Sequence, residues 1–559
     1  MNGPASIAVI TAALVGAAPA SIVDLQPFRA ASSVALGGGV ATLIDLNPHV
    51  NDWYALSLRV GGAESPVWYH LENPDPGSQT LSLDPEHPDG IRLTAGGRET
   101  DCVLWDASGG GALSRAKDSG LPYAPICDDR VYLRNRVAGT YTPLERVTDF
   151  LRDRVWGGDK IVTFVRATFF RDAFVERAEP QASRIEAPPN AVKIPAAAAI
   201  DPEVAEESVD PPGLGINVGN VPLLRIGAWY AVVDAPGMFV SVIEPRAIDA
   251  SVLASYPNVV APLDPVESNA LDYLVAMDLS QFDVAFVLGT EHPRVGWSPR
   301  VPDSVRDPNL RGPDGIDSVA PLVVNGLVNP AVVGRTAATF TGGFKREHGA
   351  FRYGALAQQN RGSHYGFIEH GTVFSTLQPG LATLYVGQDG AVNMTTWRAE
   401  DDATLANIRY ARQNGVPIID YDQRTHTGAP GALVNRWGPG NWSGSADERL
   451  RTLRAGVCLQ ETDSTRYLIY GYFSTATPSA MARVFQAYGC SYAMHLDMNA
   501  LEHTYFALYT RSAGRLVVQH LIDGMSEVDR KGGGELAPRF LSFPDDRDFF
   551  YLTRKSAVQ

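Results

Sequence analysis

Lysine is scarce in this 559-residue chain. Of 47 basic residues only six are lysines, at positions 117, 160, 193, 345, 531 and 555. They are scattered, no Lys/Arg-rich run exists, and the formal net charge is -15. Without a basic face the chain has nothing to neutralise a phosphate backbone, so no nucleic-acid partner is expected. Long apolar runs are missing too. The stretch Ile7 to Gly16 is too short to cross a bilayer and no other is long enough, so no integral membrane segment is expected. The four cysteines (Cys102, Cys127, Cys458 and Cys490) include no C-x-x-C pair, which argues against a structural zinc site. No internal repeat of solenoid period is present.

What is there describes a folded protein. Hydrophobic residues make up 45% and charged residues 19%, a globular balance. The length calls for two domains, and 53 Gly with 39 Pro call for many turns and hence a β-rich structure. Ala18-Pro19-Ala20 after the Ile7–Gly16 stretch has the small-residue pattern of a leader cleavage site, although no Lys or Arg precedes it. Residues 1–22 are therefore expected to be a signal peptide and the protein to be secreted or periplasmic, with a buried first strand or helix as the alternative. The even cysteine count permits two disulfides, one in each half of the chain, or four buried thiols.

Residues 23–181 read as a β-rich, sandwich-like domain: Trp53–Val60, Val67–Leu71, Ile91–Thr94 and Cys102–Trp105 are short apolar runs separated by Gly and Pro punctuation. One helix is predicted within it, with Thr142 as N-cap, Pro143 at the first position, Glu145 closing a capping box and Gly157 as the stop. Residues 182–214, rich in Ala, Pro and Glu, read as an exposed linker, or else as an extended strip lying over both domains. From residue 215 to 559 strands dominate again. Trp229–Val233 and Met238–Ile243 form a pair. Asp401 or Asp402 caps a helix carrying Leu405 and Ile408, ended by Gly415 and followed by a strand from Val416 to Asp420. Thr477, Pro478, Met481, Phe485, Tyr488 and Gly489 spell a second helix, followed by the strand Ser491–Leu496. Helices embedded among many strands give an α+β class.

Three places could carry chemistry. Alternation along the last-named strand puts His495 and Asp497 on one face and Tyr492, Met494 and Leu496 on the other. Two titratable groups at a strand end suit an active-site cleft, or a hydrogen-bonded structural pair. Thr341-Gly342-Gly343-Phe344 follows a β-type run, and a Gly pair there permits a tight bend and backbone approach to an anion, or an ordinary turn. Arg449 and Arg451 share one face, where a guanidinium fork suits a phosphate, or lie on a solvated strand edge.

In this order the three places resemble the signature blocks of the phosphodiester glycosidases: Thr341–Phe344 resembles an Asn-Gly-Gly-Phe block, Arg451-Thr452 an Arg-Thr strand start, and Pro478 to Asp497 a helix followed by Leu-Asp-Gly-Gly-Gly-Ser. The resemblance covers about residues 215–554 and leaves the first domain uncovered. The chain departs from the family in having Thr341 and His495 where Asn is usual, and Met498-Asn499-Ala500-Leu501-Glu502-His503 in place of the glycine-rich loop. The resemblance implies hydrolysis of a glycosidic bond in an exported glycoconjugate, such as a sugar 1-phosphodiester, with a glycan or sugar-phosphate as partner. It implies Asp497 as base or electrostatic stabiliser, Arg451 holding the anion, and Thr341, Gly342 and Gly343 lining the substrate; the residues that depart from the family add Glu502 or His503 as proton donor, with His495 beside them and Asn499 towards the substrate. His495, Asp497, Glu502 and His503 also have metal-ligating side chains, but their spacing fits no standard zinc motif, so neither metal nor cofactor is expected. The rival is a non-catalytic envelope or carbohydrate-binding protein that kept the fold. Cys458 and Cys490 should be neighbours, because they lie on the strands that carry Arg451 and Asp497.

Overall fold

The computed structural model describes residues 20–556, apart from 37, 62, 107–109, 143–171, 180, 183–192, 292–294, 300, 352–353, 360, 362–364, 437–448, 463–464, 513 and 533–534. The helix expected after Thr142 lies outside the described residues. The rest is β-rich and α+β, and all ladders between named strands are antiparallel.

The first unit contains a six-stranded sheet. Ala30–Leu36, Gly39–Asp45, Trp53–Arg59, Val67–Glu72, Val131–Arg134 and Tyr123–Ile126 lie side by side in that order. A three-stranded sheet, Gln79–Asp84, His87–Ala95 and Arg98–Val103, packs against it over a core that includes Val34, Leu56, Leu71, Leu93 and Leu133. A disulfide between Cys102 and Cys127, with α-carbons 5.5 Å apart, closes this unit.

The second unit is built around an eight-stranded sheet. Its centre is Asp272–Asp278, Arg466–Ala476, Thr452–Glu461 and Cys490–Met498, neighbours in that order. The helix Pro478–Ala487 joins the second of these to the fourth. Its N-cap is Thr477, whose hydroxyl accepts from the Ala480 amide at 3.2 Å, and Gly489 leaves it at φ +64°. Because Thr452–Glu461 pairs with Cys490–Met498, Cys458 and Cys490 lie on adjacent strands and form a disulfide, with α-carbons 5.9 Å apart. Two disulfides fit an oxidising, extracellular setting. No helix among the described residues is long and apolar enough to cross a membrane. The Asp401 segment differs from expectation. It is a 3-10 helix, Ala399–Asn407, and Ile408 already belongs to the strand Ile408–Gln413. The apolar spacing of Leu405 and Ile408 thus arises from packing at a helix–strand junction rather than from one helical face.

A five-stranded sheet, with Phe282–Val287, Phe549–Arg554, Thr336–Thr341, Phe506–Ser512 and Arg515–His520 in order, brings the Gly342 bend and the final strand next to each other.

Residues 193–209 do not hang between the two units. Ala199 donates to Ala487 O at 2.8 Å, Asp201 to Ala247 O at 2.9 Å, and Glu207–Val209 pairs with Leu224–Arg225. Val209 is fully buried in the main core. These residues are neither an exposed linker nor a strip over both units; their bonds lay them along the second unit. A fragment beginning at Gly215 is therefore expected to expose core surface and aggregate; recovery of a soluble fragment with one cooperative melt would contradict this.

The units meet through buried charge. Trp53 belongs to the main core and its Nε1–H donates to Glu72 at 3.1 Å. The Arg134 guanidinium pairs with Glu72, lies 4.3 Å over the Trp53 ring, and donates to Val323 O of the second unit at 3.1 Å. Asp52 accepts from Arg409 Nε at 2.7 Å and contacts His370 Nδ1 at 2.8 Å.

Candidate functional site

The Cys490–Met498 strand is buried on both faces, so His495 does not border a solvent cleft. Its ring lies edge-on to Phe344 at 4.9 Å, and its Nε2 is 3.3 Å from Arg454 Nη1. Burial first, and then the Arg454 charge, push its pKa well below the usual range. The imidazole is neutral and positioned by packing, which removes it from the set of proton donors.

Asp497, one pleat further on, is bound from two sides. Oδ1 accepts from the Met498 amide at 2.8 Å and Oδ2 from Arg547 Nη1 at 2.6 Å. The second Arg547 arm, Nη2, lies 2.7 Å from His503 Nε2. His503 Nδ1 lies 2.9 Å from Met498 O, a group that only accepts. The imidazole is therefore the Nδ1–H tautomer, with its Nε2 lone pair turned to the guanidinium. Asp497, Arg547 and His503 thus form one continuous polar chain.

The loop between Met498 and His503 uses ordinary turn chemistry. Asn499 takes φ +81°, donates its amide to Leu453 O at 2.9 Å and accepts from Thr452 Oγ1 at 3.1 Å. Asparagine tolerates this left-handed region better than most residues, which lets it stand where a glycine would otherwise serve. Glu502 is 8% exposed, with Oε1 3.4 Å from the Thr142 hydroxyl.

The Gly-Gly bend reaches the same place from the other sheet. Thr341 Oγ1 donates to His503 O at 2.7 Å, and the Gly342 amide donates to Asp548 O at 2.8 Å. That amide is engaged within the protein, so the anion-binding role expected of it is not available to it here. Asp548 binds Arg412 at 2.6 Å, and Arg412 also donates to Phe344 O at 2.8 Å, which fixes the bend. Gly343 sits at φ +137°, and a β-carbon there would come within 2.9 Å of the Arg412 guanidinium. Gly343→Ala is accordingly expected to cost about 1–3 kcal/mol through backbone strain and displacement of a buried ion pair; a thermal melt unchanged from wild type would refute this.

Arg451 is the residue that the fold turns elsewhere. Its Nε and Nη2 each bind Asp172 at 2.7 Å, and Nη1 binds Asp264, which also caps the helix Pro265–Ser268. The fork is filled by two carboxylates, so the expected anion-holding role is not open to it. Arg451→Ala is expected to lower stability by about 1.5–3 kcal/mol, the range for hydrogen bonds to charged groups, while leaving ligand affinity unchanged. A binding defect without a stability loss would reverse that assignment.

No protein-family model matches this chain, and no curated protein matches it. Among solved structures it is similar to a hypothetical protein from Synechocystis, at 10% identity over 94% of this chain and 99% of that one, with a TM-score of 0.25. It is also similar to a candidate exported protein from Burkholderia pseudomallei, at 10% identity over 54% of this chain and 76% of that one, with a TM-score of 0.22. TM-scores this low carry no argument about fold or chemistry.

The site therefore rests on its own geometry. Thr341, Gly342, Asp497, Glu502 and His503 gather around the loop Asp545–Asp548; Asn499 lies at its edge, His495 behind it, and Arg451 on a separate charge cluster. Arg547 is the residue that sequence reasoning passed over. Its signal was the charged run Asp545-Asp546-Arg547-Asp548 directly before the apolar strand Phe549–Arg554. Such runs are ordinarily solvated, yet here all four are buried and paired: Asp545 with nearby Arg539, and Asp546, Arg547 and Asp548 with Lys345, Asp497 and Arg412 from distant parts of the chain. Among the described residues no cluster of three His, Cys, Asp or Glu side chains could hold a metal ion, and Arg547 occupies the space between Asp497 and His503.

Proposed function

We propose that this chain hydrolyses a glycosidic bond in an exported glycoconjugate, such as a sugar 1-phosphodiester. The observation that carries the reading is the chain Asp497–Arg547–His503 in a nearly enclosed setting. Two donors, the Met498 amide and the Arg547 guanidinium, hold the Asp497 side chain in place, and a fixed carboxylate stabilises positive charge developing at an anomeric carbon. Glu502 is the proton donor, because His503 presents its lone pair to a cation and has its only N–H committed to Met498 O. No anion-holding group is assigned, because the forks of Arg451 and Arg547 are both engaged within the protein.

A second reading is favoured by a specific feature: Arg547 satisfies both Asp497 and His503 without any substrate. In that reading the chain binds a glycan and does not cleave it. A panel of chromogenic sugar phosphodiesters and simple glycosides, with Asp497→Asn and Glu502→Gln as controls, separates the two. Turnover lost in both variants supports hydrolysis; absence of turnover by wild type on the whole panel leaves the binding reading.

A further inference from the structure

Where the first unit hands the chain to the second there is a cavity of about 460 Å³. Arg136 and Val137 form one wall. Thr290 and Glu291 form another, and Ser318, Val319, Leu322 and Val324 complete it. Its frame is pinned. Val323 donates to His70 Nδ1 at 2.9 Å and accepts from Arg134 Nε at 3.1 Å, while Thr290 donates to Asp545 O at 3.0 Å and Glu291 to Asp546 O at 3.3 Å. The last two bonds set the cavity alongside the backbone segment that leads into Arg547.

The lining chooses among ligands. The side chains of Arg136 and Glu291 are exposed and make no hydrogen bond or ion pair among the described residues. One offers only donors, the other only acceptors. An anionic ligand would meet Glu291 and Asp317, and a cationic one would meet Arg136. A sugar hydroxyl both donates and accepts, so a neutral saccharide satisfies both walls at once. The valine and leucine floor suits the C–H face of a pyranose ring, and pockets of mixed character at unit junctions are the usual form of small-molecule sites.

We propose that this cavity is a subsite for a neutral sugar unit of that glycan, and that the first unit takes part in substrate selection through Arg136. The proposal rests on the glycan reading above. Its test does not require turnover. Ligand-detected NMR on the full chain, with cellobiose, maltose and N,N′-diacetylchitobiose as probes, should show binding of at least one. Arg136→Ala and Glu291→Gln should each weaken it about tenfold, the effect of losing one hydrogen bond to a charged group. Binding by a wild-type chain that hydrolyses nothing would remove the hydrolase reading and leave the subsite standing. No binding of any disaccharide, or binding indifferent to both wall variants, would overturn the subsite.

Discussion

Arg134→Ala is expected to destabilise the whole protein by about 3–5 kcal/mol, the cost of leaving a buried charge without its partner. The Arg134 guanidinium lies wholly inside the junction between the units, paired with Glu72 and 3.8 Å from Glu369. Its planar face covers Trp53 at 4.3 Å and Tyr123 at 5.0 Å. Removing it leaves two buried carboxylates uncompensated and opens a gap beside Trp53. Urea denaturation followed by tryptophan fluorescence measures the effect; a shift corresponding to less than about 1 kcal/mol would mean that the junction is solvated and the units separable.

The same junction gives a pH dependence with a definite sign. Burial pushes the Glu369 carboxyl up to about 7, against the pull of Arg134 and His370. A carboxyl that holds its proton more tightly in the folded state contributes stability that is full below the ordinary carboxylate range and is lost as pH rises towards about 7. Glu369→Gln, which stays neutral, should flatten the stability profile between those limits. A profile identical to wild type would exclude Glu369 as its source.

Under the proposed hydrolysis, Asp497→Asn is expected to lower kcat/KM by about 10³-fold, equivalent to ~4 kcal/mol of transition-state stabilisation. An amide is nearly isosteric but carries no charge with which to stabilise a cationic transition state. From sequence, Asp497 at a strand end implies almost no effect on folding. The structure changes that expectation: the carboxylate is the buried partner of Arg547, so the variant should also lose about 1–3 kcal/mol of stability. Activity must therefore be compared below the variant's own melting temperature. Retention of activity there would sink the catalytic assignment, whatever happens to stability.

Some of this was legible in the chain. Thr477, Pro478 and Gly489 specify a helix through its end groups, and alternation after Cys490 specifies a strand; both stand in the structure because caps and pleats are settled within a few residues. The turn role of Asn499 was not: it is expected from sequence to line the substrate, and only the fold shows its left-handed φ of +81° and its bonds to Leu453 and Thr452. The 3-10 turn at Ala399–Asn407 was not legible, because its apolar residues answer to a sheet formed with residues 367–387 rather than to their own helix.

By itself, then, the sequence determined the β-rich α+β class, the ends of the last helix and the strand that follows it, all by short-range rules of capping, alternation and turn geometry; the pairing of that strand with Thr452–Glu461, which joins Cys458 to Cys490, is tertiary. Only the tertiary structure decided which arginine serves which carboxylate. Arg451 was drawn to Asp172 and Asp264, Arg547 to an Asp497 fifty residues away, and Arg409 to an Asp52 that is 357 residues away. No local pattern distinguishes these arginines from solvated ones. What distinguishes them is burial, which makes an unpaired charge so costly that the fold must supply each a partner from wherever the chain returns.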